Sequence, residues 1–164
     1  MEVVERPSGL NVAPNGKIET IAKWFKEHNL EKLNDNEIRG KLGELTFPNE
    51  RGVGRKTLLH LLAKINKKGI GRVIDIAINE SKLRVNALDI LFNTPAHVAL
   101  VAENEEAFVA LKMNGANLQR KNMIDETPEE MAGRNGKLAM VELARSEPSL
   151  ELMQIVRPIF PNKV

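Results

Sequence analysis

Few residues in this chain have chemical reach: three histidines, one glycine-rich hexapeptide and two groups of carboxylates, with no cysteine at all. His28, His60 and His97 are the side chains able to exchange a proton near neutral pH. Brought together, His60 and His97 would offer a metal pair or a general base, but no carboxylate is spaced to orient either ring. His28 closes a predicted helix, where a favourable contact with the helix dipole accounts for it. The run Gly52-Val53-Gly54-Arg55-Lys56-Thr57 invites comparison with a phosphate-binding loop. That motif needs glycine directly before the lysine and a strand before the loop, and here Arg55 precedes Lys56. The acidic groups are Glu103, Glu105 and Glu106, then Asp125, Glu126, Glu129 and Glu130. A two-carboxylate active site needs a cleft that drives two pKa values apart. Glutamates at the start of a helix are stabilising there without any such role. Absence of cysteine excludes disulfides, thiolate metal sites and a cysteine nucleophile. No catalytic, cofactor-binding or metal-ligating residue is expected.

The spacing of the two histidines points elsewhere. Each stands three residues after a threonine, in Thr57-Leu58-Leu59-His60 and Thr94-Pro95-Ala96-His97, and a third opening follows at Thr127-Pro128-Glu129-Glu130. The threonines lie 37 and then 33 residues apart, and a recurring interval near 33 is the mark of a stacked array. Val85-Asn86-Ala87-Leu88-Asp89 precedes the second opening, His97 is followed by Ala99, and Gly115-Ala116-Asn117 closes the unit. This pattern resembles the ankyrin repeat, with its T-P-L-H-x-A opening and its G-A-D-x-N close, over roughly Arg51 to Glu147. The resemblance implies an all-α fold, an ankyrin-type α-solenoid of helix-turn-helix units with short hairpin connections. It also implies a structural part for His60 and His97, whose ring hydrogen bonds would tie each opening turn to a neighbouring unit, at about 1 kcal/mol net each. The departures are specific. Leu58 replaces the proline in the first unit, and Glu129-Glu130 replace the Leu-His pair in the third, as for a unit with one face turned to water. The first unit is about four residues too long, with the surplus around Ile65 to Gly71. The hairpin tips carry Asp89 and Phe92, then Asn122 and Asp125, where Asp and Gly are expected.

The elements that would position these residues follow from periodicity. Residues 1–16, with Pro7, Gly9, Pro14 and Gly16, read as a flexible arm. Ile18, Ile21, Ala22 and Phe25 share a helical face, and Asn34 or Asp35 caps a second helix whose Ile38, Leu42 and Leu45 align while Gly40 and Gly43 weaken it. This pair, residues 17–50, would cover the open end of the array, with Trp24 and Phe25 as the bulk, because a terminal unit otherwise exposes the face meant for a neighbour. Thr46 to Arg55 reads as a loop. Repeats are then expected over 51–88, 89–121 and 122–147. Their buried positions are Leu59, Leu61, Leu62, Ala63, Val73, Ile74 and Ala77; then Val98, Ala99, Leu100, Phe108 and Leu111; then Met131, Ala132, Met140, Val141 and Leu143. In 148–164, Ser149 caps a short helix holding Leu150, Leu152, Met153 and Val156, and Pro158 and Pro161 end regular structure.

Function is expected in the surface. The resemblance implies a non-catalytic protein-binding module, a scaffold, adaptor or inhibitor, that uses hairpin tips and the concave inner helices; a bacterial effector in a host cytoplasm is one form of it. At the first tip Leu88, Ile90, Leu91 and Phe92 are apolar where tips are usually polar, and Arg120, Lys121, Met123 and Ile124 form the second. Lys64, Val101 and Arg134 fall on the inner helices. The competing expectation is that the tips pack on one another or on the N-terminal helices. The rival class is an enzyme or regulatory subunit with a site in the N-terminal region or in the glycine loop 52–57. With 164 residues, 42% hydrophobic and 28% charged, a net charge of +2, no tyrosine, one tryptophan and five phenylalanines, nothing points to a nucleic-acid binder. No apolar run reaches membrane-spanning length and no leader pattern opens the chain, so a cytoplasmic protein is expected. Apolar tips also leave self-association open.

Overall fold

The computed structural model describes residues 16–157. Most of the expected arm (residues 1–15) and the tail with Pro158 and Pro161 lie outside the described residues. Among those described, every regular element is helical: α1 (Lys17–Glu27), α2 (Asp35–Leu42), α3 (Leu58–Ala63), α4 (Ile70–Glu80), α5 (Pro95–Val101), α6 (Glu105–Met113), α7 (Pro128–Arg134), α8 (Leu138–Arg145) and α9 (Leu150–Val156).

Local sequence sets the starts. Thr57, Thr94 and Thr127 are the N-caps of α3, α5 and α7, with Pro95 and Pro128 at the first helical position, where a missing N–H costs nothing. Asn34 caps α2 through a reciprocal pair: Glu37 N–H donates to Asn34 Oδ1 at 2.9 Å and Asn34 N–H to Glu37 Oε2 at 2.7 Å. Helix α2 ends at Leu42, with Gly43 as its C-cap, so Leu45 packs from beyond the helix instead of within it.

Apolar faces then set the packing. α1, α3, α5 and α7 pack each against the next, and α2, α4 and α6 form a second succession behind them. α8 lies against α7 and α5, while α9 turns back to cover α4 and α6. One continuous core results, from Ile18, Ile21 and Phe25 of α1 through Leu58, Leu59 and Leu62, Leu100, Phe108 and Leu111 to Met140, with Val156 of α9 also inside it. Leu61, Val98, Met131 and Leu143, expected inside, are only half-buried, because they sit at the rim of the helix rows. Within α9, Leu150 is exposed and Val156 is the buried anchor, close to Gly71, where an added Cβ would stand 2.6 Å from the valine and 2.9 Å from Glu106 O. Arg157 continues the anchor as a fork on Asp75, its Nη2 at 2.6 Å from Oδ1. The surplus of the first unit is shared between the turn at 64–69 and an α4 of 11 residues, against 9 in α6.

Helix α6 is buried along most of its length and is clasped by α4, α5 and α9, so its core positions have no free side into which to relax. Leu111→Ala is expected to cost about 2–5 kcal/mol, as for other fully buried leucines. Urea unfolding followed by circular dichroism checks this, and an unchanged midpoint would contradict the packing.

Candidate functional site

Three loops of one construction precede α3, α5 and α7. Each closes on itself: Gly52 N–H donates to Lys56 O at 2.8 Å, Asp89 N–H to Asn93 O at 3.0 Å and Asn122 N–H to Glu126 O at 2.9 Å. Near each tip the backbone turns left-handed, at Gly54 (φ 67°) and Arg55 (φ 58°), at Phe92 (φ 60°) and at Asp125 (φ 64°). Such a conformation is uncommon for a bulky side chain and needs support from its surroundings. Short polar side chains supply it. Asp89 Oδ1 accepts from Leu91 N–H at 2.8 Å and Asn93 N–H at 2.9 Å, and Asn122 Oδ1 accepts from Ile124 N–H at 3.1 Å and Glu126 N–H at 3.0 Å.

The loops are also bonded to one another. Ile90 N–H donates to Gly54 O at 2.8 Å and Met123 N–H to Leu91 O at 2.9 Å. Beneath them lie the two histidines, both fully buried. Thr57 N–H donates to His60 Nδ1 at 3.1 Å, so the ring proton sits on Nε2 and is donated to Asn93 O at 2.8 Å, in the next loop. His97 repeats the device, receiving Thr94 N–H on Nδ1 at 3.1 Å and reaching Glu126 O from Nε2 at 3.0 Å. The rings are separate links in a chain, and both nitrogens of each are used. In the third unit Glu130 takes the histidine's place, and its carboxylate accepts from Thr127 N–H at 2.8 Å; the side chain is exposed and bonds no further loop.

This construction leaves the tip side chains outside. Ile90 and Leu91 are each 54% exposed, Phe92 48%, Met123 56% and Ile124 62%. The loops thus join through their backbones while these apolar side chains remain in solvent. Leu88 departs from expectation: it is half-buried, on the wall of a groove, because its carbonyl is drawn in by Arg51 Nη1 at 2.6 Å. Arg120 and Lys121 are exposed, the latter paired with Asp125 at 3.0 Å. Lys64, Val101 and Arg134 stand at the far ends of α3, α5 and α7, about 10 Å along the helix axes from the tips. Lys64 is exposed and Val101 half-buried. Arg134 is bound in a fork by Glu126, with Nη2 to Oε2 at 3.1 Å, and so braces the third loop.

Most N–H groups of the glycine loop are committed, Gly52 to Lys56 O at 2.8 Å, Val53 to Glu19 Oε1 at 3.1 Å, Arg55 to Gly52 O at 3.0 Å, Lys56 to Val53 O at 3.5 Å and Thr57 to the His60 ring, which leaves no run of free amides to cradle a phosphate. Among the described residues no three histidine, aspartate or glutamate side chains are grouped to hold a metal, and no helix is long and apolar enough to cross a membrane.

Some linking residues escaped sequence reasoning. Asn104, fully buried, donates from Nδ2 to Ala63 O at 3.0 Å and Ile65 O at 2.9 Å, while its Oδ1 caps α6. Glu106 reaches past its own helix to accept from Gly69 N–H at 2.9 Å and Gly71 N–H at 3.1 Å, the start of α4. Asparagine before a helix signals a cap; nothing in the sequence signals the bonds to a neighbouring unit. No protein-family model matches this chain, and none of the curated proteins compared with it matches significantly.

Burial, partly offset by the bond to Asn93 O, pushes the His60 ring down to about 4 from its ordinary 6.5. His97 is lowered for the same first cause. Below pH 6.5 the unfolded chain therefore binds a proton that the folded chain refuses, so stability falls with pH from 6.5 towards 4, by about 3 kcal/mol from His60. Urea unfolding of wild type and His60→Gln at neutral and mildly acid pH checks this. The wild-type advantage should shrink on acidification; a constant advantage would contradict a neutral buried ring.

Proposed function

We propose that the chain is an ankyrin-type repeat module that binds a protein partner without catalysing a reaction. The observation that carries this reading is the exposed apolar row Ile90, Leu91, Phe92, Met123 and Ile124 on loops fixed by hydrogen bonds within and between them. A monomeric soluble protein seldom leaves such a row uncovered. A surface already fixed in shape loses little conformational freedom on binding, so most of the contact energy goes to affinity.

The supports for the repeat reading are the shared construction of loops 52–56, 89–93 and 122–126, the threonine caps that follow them, and the His60 and His97 links to the next loop. The α1–α2 pair covers α3 and α4 at one end, and at the other Glu130 faces water where the histidine would need a further unit. Lys64 and Val101 extend the surface along the inner helices, with an open groove between α1 and α3 bearing Lys64 beside Ala22, Leu61 and Ile65. On this reading the chain works inside a cell, as scaffold, adaptor or inhibitor.

The test is capture from a cell lysate on the full chain and on a Leu91→Asp, Ile124→Asp variant. Both side chains are exposed, so the variant should keep its helical circular dichroism. A protein held by the first and weakened tenfold or more by the second is expected; undiminished retention by the variant would overturn the reading.

A further inference from the structure

The arginines of this chain divide by partner. Arg39, Arg72, Arg134, Arg145 and Arg157 each form an ion pair with a carboxylate. Among the described residues Arg51, Arg55, Arg84 and Arg120 form none, and the first three line one open groove between the first and second loops. Leu83 and Ala87, both buried, and half-buried Leu88 give it apolar walls, and Phe92 stands at its edge beside the tip row. The groove is built, not a chance gap. Asn49 Oδ1 accepts from Arg84 N–H at 2.8 Å, and Arg51 Nη1 donates to Leu88 O at 2.6 Å and Arg55 O at 3.0 Å. Both of those bonds use Nη1, which leaves the rest of the Arg51 fork for an incoming group. Asp89 also lines the groove; its Oδ1 accepts two backbone N–H groups, and its single negative charge offsets only part of that of the three arginines. Like charge is concentrated here: burial first, then Arg55 and Arg84, hold the Arg51 guanidinium below its ordinary value.

We propose that this groove takes a carboxylate side chain from an acidic protein segment, whose apolar residues lie on Ile90, Leu91 and Phe92. The proposal rests on the reading of the tips as a docking surface and adds the chemistry of the partner. Arginine forks match carboxylates bidentately, and complementary charge sets the choice of partner and speeds encounter. The neighbouring side chains favour a protein segment over nucleic acid: Ile90, Leu91, Met123 and Ile124 are aliphatic, and Phe92 alone in this row offers a ring, whereas single-strand binders stack successive bases on several aromatics.

The test uses fluorescence anisotropy on the full chain with a short labelled peptide of interspersed glutamate, leucine and phenylalanine. A peptide with lysine in place of glutamate and a labelled oligothymidylate serve as comparisons. The variants are Arg55→Glu, Arg84→Glu and the milder Arg55→Gln, Arg84→Gln; both arginines are exposed, and Arg51 is left in place because it holds the loop. Expected are binding of the acidic peptide, no binding of the lysine peptide, salt-weakened affinity and at least a tenfold loss in the charge-reversed variant with unchanged circular dichroism. Equal affinity of wild type and both arginine variants, with loss in Leu91→Asp, Ile124→Asp, would overturn the arginine groove and leave the apolar docking surface standing. Binding of oligothymidylate without the acidic peptide, or of neither probe, would overturn the proposal.

Discussion

The imidazole of His60, bonded at both nitrogens and closed off from water, is the link on which the loop architecture depends. Its Nδ1 is held by Thr57 N–H, the residue that starts α3, and its Nε2–H reaches Asn93 O, the residue that closes the next loop. One ring thus sets a helix start and the distance to the following unit together. A buried ring with either nitrogen empty would cost the desolvation of that group, so the geometry is self-enforcing: both partners must be in place for the interior to close. His97 carries the same constraint one unit further. Asn104 and Glu106 do comparable work at the other end of the helices, tying α6 to the end of α3 and the start of α4.

Rigidity beneath the tips gives the exposed side chains their meaning. An apolar residue on a mobile loop has many ways to hide from water; Leu91 and Phe92 have few, because Asp89 and the neighbouring loops hold their backbone. The positive φ at Phe92 and Asp125 belongs to the same design, since it turns the chain sharply at the place where side chains project. Arginines left without carboxylate partners then add a polarity to one end of that row. Shape, apolar surface and charge are in this way set by backbone constraints that lie below the surface.

Much of this is legible in the residues themselves. Threonine followed by proline at the first helical position announces α5 and α7, and the same threonine before an apolar run announces α3. The apolar tip residues are legible as a group between turn-forming residues, whereas their exposure is not, because only the fold decides whether such tips pack back. What stays hidden depends on bonds between residues 35 to 41 apart, such as Glu106 to Gly71 and Asn104 to Ala63. No local pattern distinguishes Glu106 as a cap for its own helix from Glu106 as a cap for α4. Likewise Arg51, Arg55 and Arg84 meet only because the second hairpin folds back beside the first loop. Leu88, expected on an exposed tip, is half-buried for a related reason: hydrophobicity alone does not say which of several apolar neighbours a groove takes.

The measurement that bears most directly on this account is long-range proton-nitrogen NMR of the histidine rings across pH. His60 and His97 are expected to be neutral at pH 7 with the proton on Nε2 and Nδ1 bare, and His60 to stay so until about pH 5, above its depressed value of about 4. A His60 ring that titrates near 6.5, or carries its proton on Nδ1, would contradict the link on which the loops depend.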